Sequence, residues 1–253
     1  MIRAAAGLLL LLSLGGAGLF DLSSFGKLDV SGPGALDFLQ RLACGNVDRE
    51  VGRLVYTQYL NPTGGIETDL TIVRLSEEKF RCVCGSAFVY SDLGWMQMHA
   101  PTDGSVVIDD VTEDYSCLAL WGPRSRDILA AVADDDVSNE AFPYLASRSL
   151  HVGGKEVWAQ RVSYCGELGW ELHIPSEYML TVYEALASAG AAFGLVDAGY
   201  RTIDSLRLEK GYRAWAADIG PDHTPLEAGL GFAVAFNKKS DFIGRDALLR
   251  QRE

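Results

Sequence analysis

Two stretches ninety residues apart carry the same signature, and this repeat restricts the chain more than any other feature. "LDVSGPGALDFLQRL" (28–42) aligns with "LALWGPRSRDILAAV" (118–132), matching Leu28 with Leu118, Gly32 with Gly122, Pro33 with Pro123, Asp37 with Asp127 and Leu39 with Leu129. Each reads as a strand, a Gly-Pro turn and a helix. The correspondence continues through glycine turns at Gly64-Gly65 and Gly153-Gly154 between strand-like runs. It ends in "FRCVCGSAFVYSDLGWM" (80–96) and "WELHIPSEYMLTVYEAL" (170–186), where Ser86 and Ser176 are candidate helix N-caps. Met179, Val182, Tyr183 and Leu186 fall on one helical face. Each half, about 28–100 and 118–190, therefore reads as strand, helix, strand, hairpin, strand, helix. The expected fold class is α+β, duplicated units with mainly antiparallel sheets.

The repeat also isolates unusual residues. In "NPTGGIETDLTIVRL" (61–75) Asp69 stands where an apolar strand begins, although Asp is a poor strand former and costly to bury unpaired. Aligned through the glycine turns, its counterpart is Ala159, or Trp158 if the loop shifts by one. "YCGELGWEL" (164–172) likewise carries Glu167 in a glycine-flanked turn where the first half has the plain turn "LSEEKF". Residues present in one copy only are candidates for function, and turn-capping carboxylates are the competing reading.

Composition excludes some partners. A formal charge of −12 opposes nucleic acid and anionic membrane, so any anionic ligand must be held by local cations. The five cysteines (44, 82, 84, 117 and 165) form no CxxC pair and fit reduced thiols, with Cys82 and Cys84 packed in a core. The histidines (99, 151, 173 and 223) lack ligand spacing, so no metal site is expected. No GxSxG elbow, P-loop or strand-linked GxGxxG is present. The apolar run from Ala4 to Phe20, with a basic residue before it and small residues near its end, has the outline of a signal peptide and leaves export open. A buried N-terminal helix is the alternative, and reduced thiols favour the cytoplasm, or the mitochondrial matrix in a eukaryote.

After the repeats, Asp197 is a candidate cap for a helix running to Lys210 and stopping at Gly211. Arg201 and Arg207 on that helix read as a salt-bridged face or as an anion site. Together with "AGLFDLSSFGK", "NPTGGIETDLTI" and "GELGWELHIP", the segments "DSLRLEKGYRAW", "TPLEAGLGF" and "DFIGRDAL" resemble the tetrahydrofolate-binding aminomethyltransferase family of the glycine cleavage system T protein. They look most like the folate module of sarcosine and dimethylglycine dehydrogenases.

The resemblance implies duplicated halves around a central folate pocket. It implies an apolar N-terminal segment (1–16), a folate-binding domain (17–240) and a linker (241–253) toward the family's C-terminal barrel, which is absent. It implies a one-carbon transferase accepting a methylene unit from an aminomethyl or iminium donor to give 5,10-methylenetetrahydrofolate. Asp69 stands at the family's catalytic carboxylate, where many members have two adjacent acids and this chain has Thr68 then Asp69. Glu167 matches the acid that hydrogen-bonds the pteridine ring. Arg201 matches the arginine of the folate pocket, Arg207 is a second choice, and Tyr56 and Asn61 line the same cavity. Tetrahydrofolate is the expected cofactor, with no FAD site in this chain and hence no oxidoreductase activity of its own. A separate flavoprotein dehydrogenase or a lipoyl carrier is the expected partner. A noncatalytic folate-sensing or regulatory interaction module is the alternative function.

Overall fold

The computed structural model describes residues 15–253. In chain order β1 (Ala17–Asp21) and β2 (Gly26–Ser31) lead into α1 (Ala35–Leu42). β3 (Leu54–Leu60), β4 (Ile66–Ser76) and β5 (Lys79–Cys84) precede α2 (Val89–His99) and β6 (Val107–Asp110). The second copy runs β7 (Tyr115–Trp121), α3 (Ser125–Val132), β8 (Ser147–Val152), β9 (Lys155–Gln160), β10 (Gly169–Pro175) and α4 (Met179–Gly190). β11 (Leu195–Ala198), α5 (Tyr200–Glu209) and α6 (Arg245–Arg252) follow.

These elements form two compact units, one built from the described residues to Ser24 with Thr112–Tyr212, the other from Phe25–Val111 with Arg213–Glu253. The second unit holds a five-stranded antiparallel sheet in the order β3-β4-β5-β2-β6. The first holds a six-stranded sheet in the order β11-β1-β7-β10-β9-β8, antiparallel except for β1 beside β11. The order β3-β4-β5-β2 is that of β8-β9-β10-β7, so the repeat in the sequence is a repeat of topology. Three strands lie between the helices of each copy; the strand read as preceding the hairpin is one arm of it.

The Gly-Pro signature has a backbone cause. Gly32 and Gly122 adopt φ of 112° and 133°, which side-chain-bearing residues rarely reach, and turn each chain from strand into helix. In the second unit α1 and α2 cover one face of the sheet, burying Phe38, Leu39, Leu42 and Met96 against Leu70, Ile72, Phe80, Cys82 and Cys84. In the first, α3 and α4 bury Ile128, Leu129, Val182 and Leu186 against Leu120, Trp170, Leu172 and Ile174. Met179 and Tyr183 pack at its margin, as their spacing with Val182 and Leu186 predicts.

Other expectations are corrected. Ser86 and Ser176 open short 3-10 turns before Val89 and Met179, and neither side chain caps a helix; the Ser176 hydroxyl donates to the Glu113 carbonyl at 2.8 Å. Asp197 continues β11 opposite Leu19 and accepts from the Tyr183 hydroxyl at 2.9 Å, so α5 starts at Tyr200 without a side-chain cap. Of the apolar N-terminal run, residues up to 14 lie outside the described residues, and Ala17–Phe20 belong to β1. No helix of the described residues is long and apolar enough to cross a membrane. The stretch 241–253, expected as a linker, contains α6 and buries Phe242 and Leu248 with Leu60, Ile66, Ile219 and Leu230.

Candidate functional site

The register of β4 decides which way Asp69 points. Leu70 and Ile72 pack under the helices and the Thr68 hydroxyl donates to Asp92 on α2 at 3.1 Å, so strand alternation sends Asp69 to the opposite face. There the half-buried Asp69 accepts a hydrogen bond from the Tyr56 hydroxyl at 2.9 Å across the β3–β4 pair. Burial pushes its carboxyl above the ordinary range, and the Tyr56 bond opposes that rise only in part. The Tyr56 ring stacks on Phe232 at 6.4 Å, and Phe232 is 78% exposed. Asp69 thus has one phenol as its side-chain partner and an exposed aromatic close by.

The same register separates the adjacent positions 68 and 69. An acid at 68 would face Asp92 inside the helix-covered layer, whereas Thr68 is a donor there. It also corrects the counterpart of Asp69. Cys82 pairs with Ile72, and its equivalent Leu172 pairs with Ala159, which places Glu156 at the position of Asp69. Glycine turns misalign the copies because β4 has 11 residues and β9 has six. Glu156 is exposed and accepts from Ser149 at 2.6 Å; what distinguishes Asp69 is burial, not the presence of an acid.

Asn61 organises the hairpin turn. Its Oδ1 accepts from the Thr63 amide, the Thr63 hydroxyl and the Gly65 amide, and its Nδ2 donates to Glu67 and to the Pro221 carbonyl. Every polar group of this amide is engaged within the protein, so what Asn61 does in this structure is hold the turn. Gly65 is fixed by close approach: a Cβ there would lie 1.7 Å from the Pro221 oxygen. Gly65→Ala should cost about 1–3 kcal/mol of stability through this clash, read as a lower urea midpoint with an unchanged slope.

The remaining predicted residues belong to the other unit. Glu167, in the loop before β10, is paired with Lys210 at 3.2 Å, and that pairing raises the Lys210 ammonium. Arg201 is exposed in the first turn of α5 and available to an anion. Arg207 is buried; its Nε lies 3.4 Å from Asp204 and its Nη1 donates to the Tyr212 carbonyl at 3.0 Å, closing the end of α5. The structure brings Tyr56, Asn61 and Asp69 together in one unit and places Glu167, Arg201 and Arg207 in the other.

Two acids escaped the sequence reading. Glu171 lies on β10 beside Gln160, 7% exposed, and burial alone pushes its carboxyl up to about 8. Neither side-chain amide atom of the buried Gln160 has a hydrogen-bond partner among the described residues. The signal was the alternation in "GWELHIP", where Trp170, Leu172 and Ile174 enter the core and Glu171 and His173 must face the other way. Asp92, pushed up to about 6 chiefly by burial, shares a helix face with Val89 and Met96, all buried. Its spacing from them, three and four residues, was visible in the sequence.

Cys117, Glu171 and His173 are metal-ligating types whose donor atoms lie within 4.8 Å of one another. The expectation of no metal site rested on spacing along the chain, and these donors converge instead from β7 and β10. Cys117 and His173 also interact with other groups. A surface cleft of about 560 Å³ lined by Asp48, Arg49, Glu50, Arg53 and Arg74 contains none of the predicted residues.

The family model described as "GCVT N-terminal domain" matches residues 14–238. The chain belongs to the GCVT N-terminal domain family. Human mitochondrial sarcosine dehydrogenase is 42% identical over 94% of the chain, which spans 28% of that protein's length. The aminomethyltransferase of Halothermothrix orenii is 39% identical over 93% of the chain, which spans 65% of it. Among solved structures, the glycine cleavage system aminomethyltransferase T of Bartonella henselae superposes with a TM-score of 0.81 at 28% identity, covering 94% of this chain and 63% of that one. The duplicated α+β architecture of this GCVT domain is therefore that of an aminomethyltransferase.

Proposed function

We propose that this GCVT domain binds tetrahydrofolate and assists transfer of a one-carbon unit onto it from an aminomethyl or iminium donor. The observation that carries the reading is Asp69, a half-buried carboxyl with raised proton affinity, held by Tyr56 on the face of the sheet opposite the helices. Bound tetrahydrofolate supplies the nucleophilic nitrogen. Asp69 offers that nitrogen's proton an acceptor as the new bond forms, and its negative charge favours a cationic donor. Tyr56 fixes the carboxylate by donating to one oxygen, which leaves the other oxygen for the proton.

The buried polar groups of the other unit fit a ligand with paired N–H donors. Glu167 is the residue the resemblance assigns to this task, but Lys210 already engages it. Glu171 is the second candidate for this task, because burial raises its carboxyl and an aminopyrimidine edge supplies donors that favour it. Arg201, exposed and without a side-chain ion pair among the described residues, suits the anionic glutamyl tail, while Arg207 and Asn61 hold the scaffold. A flavoprotein dehydrogenase or a lipoyl carrier is the proposed source of the donor.

The test is turnover with formaldehyde, an amine and tetrahydrofolate by the intact chain. Formation of the methylene product at a rate that depends on Asp69 supports the reading. Tight folate binding with no turnover would instead make the chain a sensing or regulatory module.

A further inference from the structure

On the face of the six-stranded sheet turned away from α3 and α4, three side chains of different chemistry meet. Leu118, Leu120, Trp170, Leu172 and Ile174 pack under the helices, so strand alternation sends Cys117, Glu171 and His173 to the opposite face. Cys117 on β7 is the direct cross-strand partner of His173 on β10, and Glu171 lies two residues along the same strand. All three are buried, and their thiol, ring-nitrogen and carboxylate ligand atoms lie within 4.8 Å of one another.

We propose that Cys117, Glu171 and His173 form a binding site for a single zinc ion. A thiolate, an imidazole and a carboxylate are donor types that Zn²⁺ accepts together, whereas Mg²⁺ and Ca²⁺ prefer oxygen alone. Zinc bonds of about 2.0–2.3 Å in a tetrahedron put donor atoms about 3–4 Å apart. Closing from at most 4.8 Å therefore needs side-chain rotation on the order of an ångström, while the seven-residue pairing of β7 with β10 keeps its register. A metal-bound histidine keeps a partner on its second ring nitrogen, so a further contact at His173 is compatible with coordination. Burial alone pushes the Glu171 carboxyl up, and a divalent cation beside it reverses that cost.

Two further observations point the same way. Gln160 on β9 is paired with Glu171, so its amide stands on the same face; it is fully buried, and neither amide atom has a hydrogen-bond partner among the described residues. Coordination gives this amide a task. Its Nε2 donates to the carboxylate oxygen that the ion leaves unbound and orients the ligand from the outer shell, and the fourth position on the metal stays open to water. The other observation is the repeat. Cys82 corresponds to Leu172, which sets Arg81, Val83 and Lys27 at the places of Glu171, His173 and Cys117; Lys27 pairs with Val83 as Cys117 pairs with His173. The shared topology does not call for this trio, which the second copy alone carries.

The experiment is titration of the intact, chelator-treated chain with Zn²⁺ and with Co²⁺. Folate is left out, because an ion at Glu171 would compete with a ring edge read by the same carboxylate. Calorimetry should show one Zn²⁺ bound per chain in the presence of excess Mg²⁺. Co²⁺ should give a thiolate-to-cobalt absorption band that added Zn²⁺ abolishes. Cys117→Ser should lose that band, and His173→Gln should weaken Zn²⁺ binding by more than the about 10–100-fold that an outer-shell partner costs. Cys165→Ser, which removes another buried thiol of the same unit, should keep both band and affinity. If the ligand variants do not fold, X-ray absorption by the zinc-loaded parent decides, with one sulfur at about 2.3 Å and nitrogen and oxygen at about 2.0–2.2 Å. No saturable Zn²⁺ binding, a shell without sulfur, or a cobalt band that persists in folded Cys117→Ser overturns the proposal. None of these readings involves turnover, so a chain that transfers nothing would sink the functional reading and leave the zinc site standing.

Discussion

Asp69→Asn should bind tetrahydrofolate as tightly as the parent chain and transfer the one-carbon unit slower by on the order of 10²–10⁴-fold, the usual contribution of a positioned acid or base. The amide keeps the side chain's shape and its acceptor for the Tyr56 hydroxyl. It cannot accept a proton near neutrality or offset a cationic donor. kcat and kcat/KM should therefore fall together, the pattern for an interaction made only in the transition state. A large rise in KM with kcat intact would show instead that Asp69 only binds. Burial raises the proton affinity of Asp69, so the rate of the parent chain should fall on the acid side at a higher pH than an ordinary aspartate would give.

Glu171→Gln should produce the second large effect, and with opposite signs for stability and binding. Burial lifts this carboxyl from 4.5 to about 8 in the folded chain, so folding favours its protonated form. Its contribution is fully present below pH 4.5 and is lost as pH rises toward about 8, where the fold must hold a buried charge. With a slope of at most about 1.4 kcal/mol per pH unit, the penalty above pH 8 is several kcal/mol at most. Glutamine carries no such charge and its amide can pair with the unsatisfied Gln160. Thermal unfolding across pH 5–9 should show Glu171→Gln matching the parent at low pH and exceeding it at high pH. Measured above pH 8, where the parent carboxyl is ionised, tetrahydrofolate affinity should drop about 10–100-fold, the loss of charge-assisted hydrogen bonds. Glu167→Gln, which chiefly breaks the partly exposed pair with Lys210, should change both quantities little. The reverse ranking would return the ring-reading role to Glu167.

Much of the fold was legible because local chemistry repeats. Gly32-Pro33 and Gly122-Pro123 announce the same strand-to-helix turn, and the helix after each presents apolar residues at helical spacing. Long-range pairing was less visible. Asp197 resembles a cap in isolation, but β1, almost two hundred residues earlier, captures it as a strand residue. Similarly, Phe242 and Leu248 read as linker until the C-terminal segment buries them against Leu60 and Ile66.

The candidate site follows the same division. Asp69 was conspicuous because its neighbours along the chain are strand formers, yet its face and its true counterpart, Glu156, depend on register across three strands. Arg207 looked like an anion-binding residue and is consumed by the end of its own helix, because the sequence does not show which side of α5 is covered. Glu171 and Asp92 were overlooked because an acid within an apolar stretch attracts notice only when its face is known to be buried.

Calorimetric titration of the intact protein with tetrahydrofolate tests most directly whether this chain is a folate module. Saturable binding to the parent chain, retained at equal affinity in Asp69→Ala, is the predicted result. A titration showing no binding by the intact, folded chain would contradict the account.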